Sequence, residues 1–120
     1  MKRMIGAAVL ASSATLAAPA PAQQAQQAIT ATYLCEGGKV LQIAFLNLGE
    51  MSAAVVHWTG ELVPLRQVPS GSGVFYADFD EQRGLRWRGK GDEGFLAELA
   101  PDHTADERVL VASCKAVEAR

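Results

Sequence analysis

The sequence predicts one all-β domain, a small eight-stranded antiparallel β-barrel. The length of 120 residues suits a single domain. Eight short apolar or alternating runs recur roughly every ten residues between turn-forming segments, and no segment of helical length shows a 3.6-residue period. Strands of this kind build either a barrel or a sandwich, and we favour the barrel because closure leaves no exposed edge strand.

Alternation and turns define the first four predicted strands. Ile29, Ala31 and Tyr33 alternate with two threonines and a leucine, which is the period-two pattern of a strand. Glycine-containing turns follow the first and second strands. Only Thr59 and Gly60 separate the third strand from the fourth, and a two-residue connection indicates a tight hairpin. These four strands cover residues 29–35, 40–46, 53–58 and 61–68.

Glycine-rich or charged segments separate the last four predicted strands. The segment 69–73 reads Pro-Ser-Gly-Ser-Gly, 80–84 is an acidic turn, and 89–92 is a Gly-Lys-Gly-Asp turn. A longer connection, 101–107, precedes the final strand. These four strands cover residues 74–79, 85–88, 94–100 and 108–114.

Residues 1–22 have the pattern of a signal peptide and are not expected to contribute to the fold. The basic start Met-Lys-Arg precedes a mostly apolar stretch, 4–16, which is shorter than the roughly 20 residues of a transmembrane helix. A small-residue cleavage pattern ends at Ala22, with Ala18 as an alternative site. The mature chain is therefore expected to be exported and to contain no transmembrane segment.

The mature chain is expected to be soluble and periplasmic. Cys35 is the first cysteine, so none is available at the cleavage site to carry a lipid anchor. A flexible leader rich in Gln and Ala is predicted at 23–28, followed by the folded domain at 29–120. Removal of 1–22 takes away two of the 11 basic residues and none of the 13 acidic ones, leaving a net charge of −4. That charge favours solubility and would attract a basic partner.

Composition excludes several kinds of site. The acidic balance does not suit nucleic-acid binding, which needs a basic surface. The chain has only two cysteines and two histidines, and their spacing does not resemble that of a zinc site. No phosphate-binding loop or dinucleotide motif is present in the sequence. We therefore expect no metal, no cofactor and no nucleic-acid partner.

Catalytic residues are not expected. His57 lies in an apolar run and is interpreted as an ordinary strand residue, whereas His103 lies in a loop. Asp78 and Asp80 could form the acid pair of a small exported hydrolase, but solvated charge beside an acidic turn explains them better. No Gly-x-Ser-x-Gly motif is present. The chain is therefore predicted not to be an enzyme.

Cys35 and Cys114 are the only cysteines, and in an exported protein we expect them to form a disulfide. The bond would join the first strand to the last and would close a long loop, which implies a stabilisation of about 4 kcal/mol. A free thiol pair or a redox couple is the alternative, and the absence of a Cys-x-x-Cys motif argues against it.

Two motifs stand out in the second half of the chain. Residues 72–76 form a Ser-Gly-x-x-Tyr sequence, and 90–93 read Lys-Gly-Asp-Glu shortly after Trp87. A Tyr-x-Cys sequence at 33–35 opens the domain, and Cys114 lies near its end. This ordered set resembles the bacterial inhibitors of c-type lysozyme, the membrane-bound and periplasmic MliC/PliC family.

The resemblance implies an eight-stranded barrel whose partner is a c-type lysozyme. It also implies that Ser72 and Lys90 reach into the lysozyme cleft and meet its two catalytic carboxylates. An ammonium group there would lower the pKa of the general acid and favour its ionised form, which cannot protonate the substrate. The lysozyme-binding residues implied in this way are Ser72, Gly73, Tyr76, Lys90 and Gly91.

The chain departs from the family pattern in three respects. A second Ser-Gly pair begins at Ser70, although only Ser72 has a tyrosine four residues later. Two residues separate Trp87 from Lys90 where the family usually has one, so the insertion could be a bulge and Arg88 could share the role of the lysine. A glycine at position 94 also replaces the more usual alanine.

A small exported barrel that holds an apolar ligand is the main alternative to an inhibitor. Such a barrel needs a hollow interior lined by small side chains. Four large aromatic residues, Trp58, Phe75, Trp87 and Phe95, indicate a filled interior instead.

Overall fold

The computed structural model describes residues 26–102 and 106–120, and it confirms the predicted barrel. The predicted signal peptide (1–22), residues 23–25 of the predicted leader, and His103 lie outside the described residues. Eight antiparallel strands form the barrel, each paired with its neighbours in sequence, and the last strand closes the sheet against the first. The strands are β1 (Gln27–Leu34), β2 (Val40–Asn47), β3 (Ser52–Trp58), β4 (Glu61–Val68), β5 (Val74–Asp78), β6 (Leu85–Lys90), β7 (Glu93–Glu98) and β8 (Arg108–Ala119).

The first and last strands are longer than predicted because each pairs along most of its length. β1 begins at Gln27, within the segment interpreted as a leader, and its first residues pair with the end of β2. β8 continues to Ala119, which pairs with Ala31 of β1. Cys35 lies just after β1 rather than on it, at the start of a short 3-10 turn, Glu36–Gly38.

Large side chains fill the barrel interior. Trp87 is the largest fully buried side chain, and its ring centre lies 4.8 Å from that of Tyr33. Of the other aromatic residues expected inside, Phe75 and Phe95 instead lie on the outer face. The side chains of successive strand residues point to opposite faces of the sheet. Tyr76 and Leu96, which directly follow these two phenylalanines, point inwards. The other fully buried side chains include Leu41, Ile43, Val56, Val63, Leu65 and Leu96.

Asp78 is the one buried charged residue in the described part of the chain. Its carboxylate accepts hydrogen bonds from Arg83 Nε at 2.7 Å and Nη2 at 2.8 Å, and from the backbone N–H groups of Asp80 and Leu85. Burial alone would raise the pKa of Asp78, but these bonds outweigh burial and hold the pKa below its ordinary value. The interpretation of Asp78 as a solvated charge is therefore wrong. The buried carboxylate of Asp78 fastens the connection between β5 and β6.

The predicted disulfide between Cys35 and Cys114 is present. The bond joins β8 to the segment that follows β1, and it spans 79 positions of the sequence. Both cysteines are buried. The disulfide therefore fastens the two strands at which the barrel closes.

Candidate functional site

An open groove of about 550 Å³ brings the two predicted motifs together. Ser72, in the loop between β4 and β5, and Lys90, the last residue of β6, both line it and are both exposed. Two motifs that lie far apart in the sequence therefore form one surface. The remaining lining residues are Ser70, Val74, Arg88, Gly89, Glu93, Gly94, Phe95, Ser113, Cys114 and Lys115.

Gly73 holds the Ser72 loop against the end of β6. Its φ of 68° lies in the left-handed region, and a Cβ at this position would lie 2.2 Å from the carbonyl oxygen of Gly89 and 3.3 Å from Cβ of Lys90. Only glycine combines this backbone conformation with such a close approach. The loop that carries Ser72 therefore contacts the backbone beside Lys90 directly.

The two serines of the loop have different roles. Ser70 Oγ donates a 2.8 Å hydrogen bond to the carbonyl oxygen of Ser72, so the Ser70 hydroxyl stabilises the loop itself. The hydroxyl of Ser72 has no hydrogen-bond partner among residues 26–102 and 106–120 and lies in the groove. These contacts favour Ser72 over Ser70 as the residue available to a partner.

Lys90 belongs to β6 rather than to a four-residue turn. Gly89 pairs with Gly94 and Lys90 pairs with Glu93 in an uninterrupted register. The hairpin turn therefore contains only residues 91–92. The bulge considered for the inserted residue before Lys90 is absent from β6.

The indole of Trp87 accounts for two glycines near the groove. A Cβ at Gly94 would lie 2.4 Å from Trp87 Cζ2, and a Cβ at Gly89 would lie 3.0 Å from Trp87 Nε1. The glycine at position 94, in place of the more usual alanine, therefore leaves room for the indole. Gly89 lies beside the same ring on the inner face of the hairpin.

Arg88 and Lys90 lie on the same outer face of β6 but differ in their partners. Arg88 donates to Glu107 through Nε at 3.0 Å and Nη2 at 2.7 Å, and its guanidinium lies 3.8 Å from the centre of the Phe75 ring. The bonds from Arg88, together with those from Arg86, hold the pKa of Glu107 below its ordinary value despite partial burial. Lys90 has no ion-pair partner in the described part of the chain. Lys90 is therefore available to a partner, whereas Arg88 is already paired.

Tyr76 and Gly91 differ in how much surface they offer. Tyr76 is only 7% exposed, and its ring centre lies 5.7 Å from that of Phe45. Burial raises the pKa of its phenol, and little of the ring is left for contact with a partner. Gly91 lies in the exposed hairpin turn with a φ of 62°. Tyr76 is thus suited to support β5 behind the Ser72 loop.

The remaining titratable candidates lie elsewhere. His57 is exposed on β3, where it pairs with Gln42 and Leu62, so its interpretation as a strand residue is confirmed. Asp80 is exposed, and its carboxylate accepts the N–H of Gln82. Neither residue lines the groove of Ser72 and Lys90.

Sequence reasoning missed the side of the groove that β8 forms. Ser113 and Lys115 line the groove on either side of the disulfide cysteine Cys114. Ser113 has a φ of 52°, although neither glycine nor proline marks an irregularity at this point of the sequence. The only sequence signal near them is Cys114 itself.

Comparison with known proteins agrees with this architecture. Residues 33–105, more than half of the chain, match the family model described as "Membrane-bound lysozyme-inhibitor of c-type lysozyme" (MliC). By sequence, no protein of curated function matches the chain significantly.

Two solved structures resemble the chain. One is PliC-St, the periplasmic lysozyme inhibitor of C-type lysozyme from Salmonella typhimurium, with a TM-score of 0.66 and 19% identity over 77% of this chain and 100% of that one. At that identity the likeness concerns the fold. The other is Pseudomonas aeruginosa MliC in complex with hen egg white lysozyme, with a TM-score of 0.58 and 29% identity over 84% of this chain and 91% of that one. Because the family model covers most of the barrel, the chain belongs to the family of membrane-bound lysozyme inhibitors of c-type lysozyme.

Proposed function

We propose that the protein inhibits c-type lysozyme by placing the Ser72 loop and Lys90 in the active-site cleft of the enzyme. The observation that carries the proposal is the groove that Ser72 and Lys90 share, since the contact of Gly73 with Gly89 holds the Ser72 loop against the end of β6. Family membership supports an inhibitor, and the Pseudomonas aeruginosa relative in complex with hen egg white lysozyme supports a c-type lysozyme as partner.

Lys90 supplies the cation of the proposed mechanism. Lysozyme cleaves its substrate with two carboxyl groups, one of which must be protonated to act as general acid. The ammonium group of Lys90, exposed and without an ion pair in the described residues, would donate charge-assisted hydrogen bonds to both groups. Its charge lowers the pKa of the general acid, so that the acid loses the proton that catalysis requires.

Ser72 supplies a second, uncharged donor. Its hydroxyl can bond to one carboxylate oxygen, while the loop of Ser72 and Gly73 occupies space that the sugar chain needs. Gly91 leaves the turn after Lys90 without a side chain, which lets the hairpin enter a narrow cleft. Tyr76 contributes from behind by supporting β5.

Inhibition of this kind needs no catalysis by the protein itself. Asp78, one of the two hydrolase candidates, is committed to Arg83 and to two backbone N–H groups. Storage of an apolar ligand is also poorly supported, because Trp87 and its neighbours fill the barrel interior. We therefore propose a binding protein that protects peptidoglycan rather than an enzyme or a carrier.

The proposed site of action is the periplasm. The signal-peptide pattern of residues 1–22 and the disulfide between Cys35 and Cys114 both suit an exported, oxidising compartment. In the described part of the chain, no helix has the length and apolar character to cross a membrane. Fractionation of producing cells into periplasm, membrane and cytoplasm tests this location.

A lysis assay tests the proposed function. The mature protein, residues 23–120, is added at increasing ratios to hen egg white lysozyme acting on a cell-wall suspension. Inhibition that is complete near an equimolar ratio and is relieved competitively by more cell wall is expected. Unchanged lysis at a large molar excess would overturn the proposal, and clearing of the suspension without lysozyme would favour a hydrolase.

A further inference from the structure

We infer that β8 forms a second contact edge of the lysozyme-binding groove, through the hydroxyl of Ser113 and the ammonium group of Lys115. Both groups are hydrogen-bond donors, so the chemistry that they recognise is a set of carboxylate or carbonyl oxygens on lysozyme, beside the carboxylates met by Ser72 and Lys90. The inference rests on the proposed function and enlarges the site that performs it.

A bulge in β8 turns Ser113 towards the groove. Two residues of β8, Ala112 and Ser113, lie opposite the single residue Phe95 of β7. Ser113 has a φ of 52°, a conformation that residues other than glycine rarely adopt, and its side chain is exposed. Bulges re-aim side chains, and backbone strain of this kind is concentrated at functional sites. Within the described residues the Ser113 hydroxyl has no hydrogen-bond partner that would account for its position.

The charges of the groove extend across three strands. Lys90 pairs in register with Glu93 of β7, and Glu93 pairs with Lys115 of β8. Across residues 26–102 and 106–120, none of the three has an ion pair. Because Glu107 pairs with Arg88, the unpaired charges of the groove are the ammonium groups of Lys90 and Lys115 and the carboxylate of Glu93. On a chain of negative net charge, this positive groove is complementary to an acidic cleft.

The disulfide holds the backbone of Ser113 and Lys115 in place. Cys114 lies between Ser113 and Lys115, is 1% exposed, and is bonded to Cys35. The N–H of Ala116 also donates a 2.7 Å hydrogen bond to the carbonyl oxygen of Asp92, which ties β8 to the hairpin turn after Lys90. A backbone fixed in this way loses little conformational entropy on binding. β8 lies beyond residues 33–105, the range matched by the family model.

Ser113→Gly tests the hydroxyl without straining the fold, because glycine adopts a φ of 52° freely. Its dissociation constant for lysozyme is expected to rise about three- to tenfold, since one hydrogen bond is lost, while the thermal unfolding midpoint does not fall. Thr59→Gly is the matched control. Thr59 also has a positive φ, at 49°, but lies in the β3–β4 turn outside the groove, so its affinity should equal that of the parent.

Lys115→Ala tests the charge, with Lys39→Ala as a control that removes the same charge from outside the groove. Lys115→Ala is expected to weaken binding at least about threefold, with a smaller effect at high salt, whereas Lys39→Ala should change affinity little. If Ser113→Gly and Lys115→Ala both bind like the parent while Lys90→Ala binds weakly, this inference is wrong and the proposed function stands. If the parent does not bind lysozyme, the proposed function itself fails.

Discussion

Gly73 approaches Gly89 so closely that a β-carbon at position 73 would lie 2.2 Å from the Gly89 carbonyl oxygen. This contact joins the loop before β5 to the end of β6, and it places Ser72 and Lys90 in one groove. The relative position of the two proposed contact residues is therefore set by backbone packing rather than by a bond between their side chains.

Gly73→Ala is expected to lower both stability and affinity. The new β-carbon would clash with the carbonyl oxygen of Gly89, and a φ of 68° is strained for alanine. A loss of about 1–3 kcal/mol in the free energy of unfolding is predicted. Gly71→Ala is the control, since a Cβ there has no atom within 4 Å and the residue lies in the same loop. Urea unfolding and lysozyme titration measure both effects, and equal results for the two variants would contradict the role of this contact.

The double substitution of Cys35 and Cys114 by alanine is expected to lower the free energy of unfolding by about 4 kcal/mol, because the disulfide closes a loop of 79 positions. Urea unfolding with and without a reducing agent measures the loss. The reducing agent should destabilise the parent and leave the double variant unchanged. A double variant as stable as the oxidised parent would show that the bond does not stabilise the barrel.

Asp78→Asn is expected to destabilise the protein by about 2–3 kcal/mol at pH 7, because Arg83 loses its charged partner. The folded pKa of Asp78 is lowered, so its stabilisation is complete above the ordinary pKa of about 3.8 and disappears as the pH falls through the folded pKa. The stability difference between parent and variant should therefore shrink in acid. Asp80→Asn, at an exposed position, should have little effect at any pH. A difference for Asp78→Asn that stays constant down to pH 2 would refute the ion-pair explanation.

Ser72→Ala is expected to weaken lysozyme binding by about 1.5–3 kcal/mol, the range for a hydrogen bond to a charged group. Stability should not change, because the Ser72 hydroxyl has no partner among the described residues of the free protein. Ser70→Ala should instead cost about 1 kcal/mol of stability, since the bond from Ser70 to the Ser72 carbonyl is lost. Calorimetric titration of both variants decides the assignment, and a larger loss of affinity for Ser70→Ala would reverse it.

The strands could be predicted from sequence because their signals are local, and the disulfide could be predicted because the chain has only two cysteines. Alternation and turn residues marked every strand, and a lone cysteine pair in an exported chain has few other uses. Gly89 misled the prediction of β6, since glycine usually marks a turn. Its place in the strand depends on the indole of Trp87, which only the folded barrel brings against it.

Two further features, one of them in the groove, depend on tertiary structure. Asp78 and its partner Arg83 are both visible in the sequence, but their pairing requires the geometry of the β5–β6 connection and the burial that it creates. The bulge at Ser113 results from the register between β7 and β8, and no residue type at that point signals it. The Ser72 and Lys90 motifs could be read in order, whereas their shared groove required the fold.

The dissociation constant of Lys90→Ala for c-type lysozyme tests the account most directly. Loss of an ammonium group from between two carboxylates should cost about 2–5 kcal/mol, which is roughly a 30-fold or greater rise in the dissociation constant, mainly through faster dissociation. Lys39→Ala should bind like the parent, and Arg88→Ala, which breaks an intramolecular pair with Glu107, should lose less affinity than Lys90→Ala. Full affinity of Lys90→Ala beside a loss of binding in Arg88→Ala would contradict the assignment of Lys90 as the inhibitory cation.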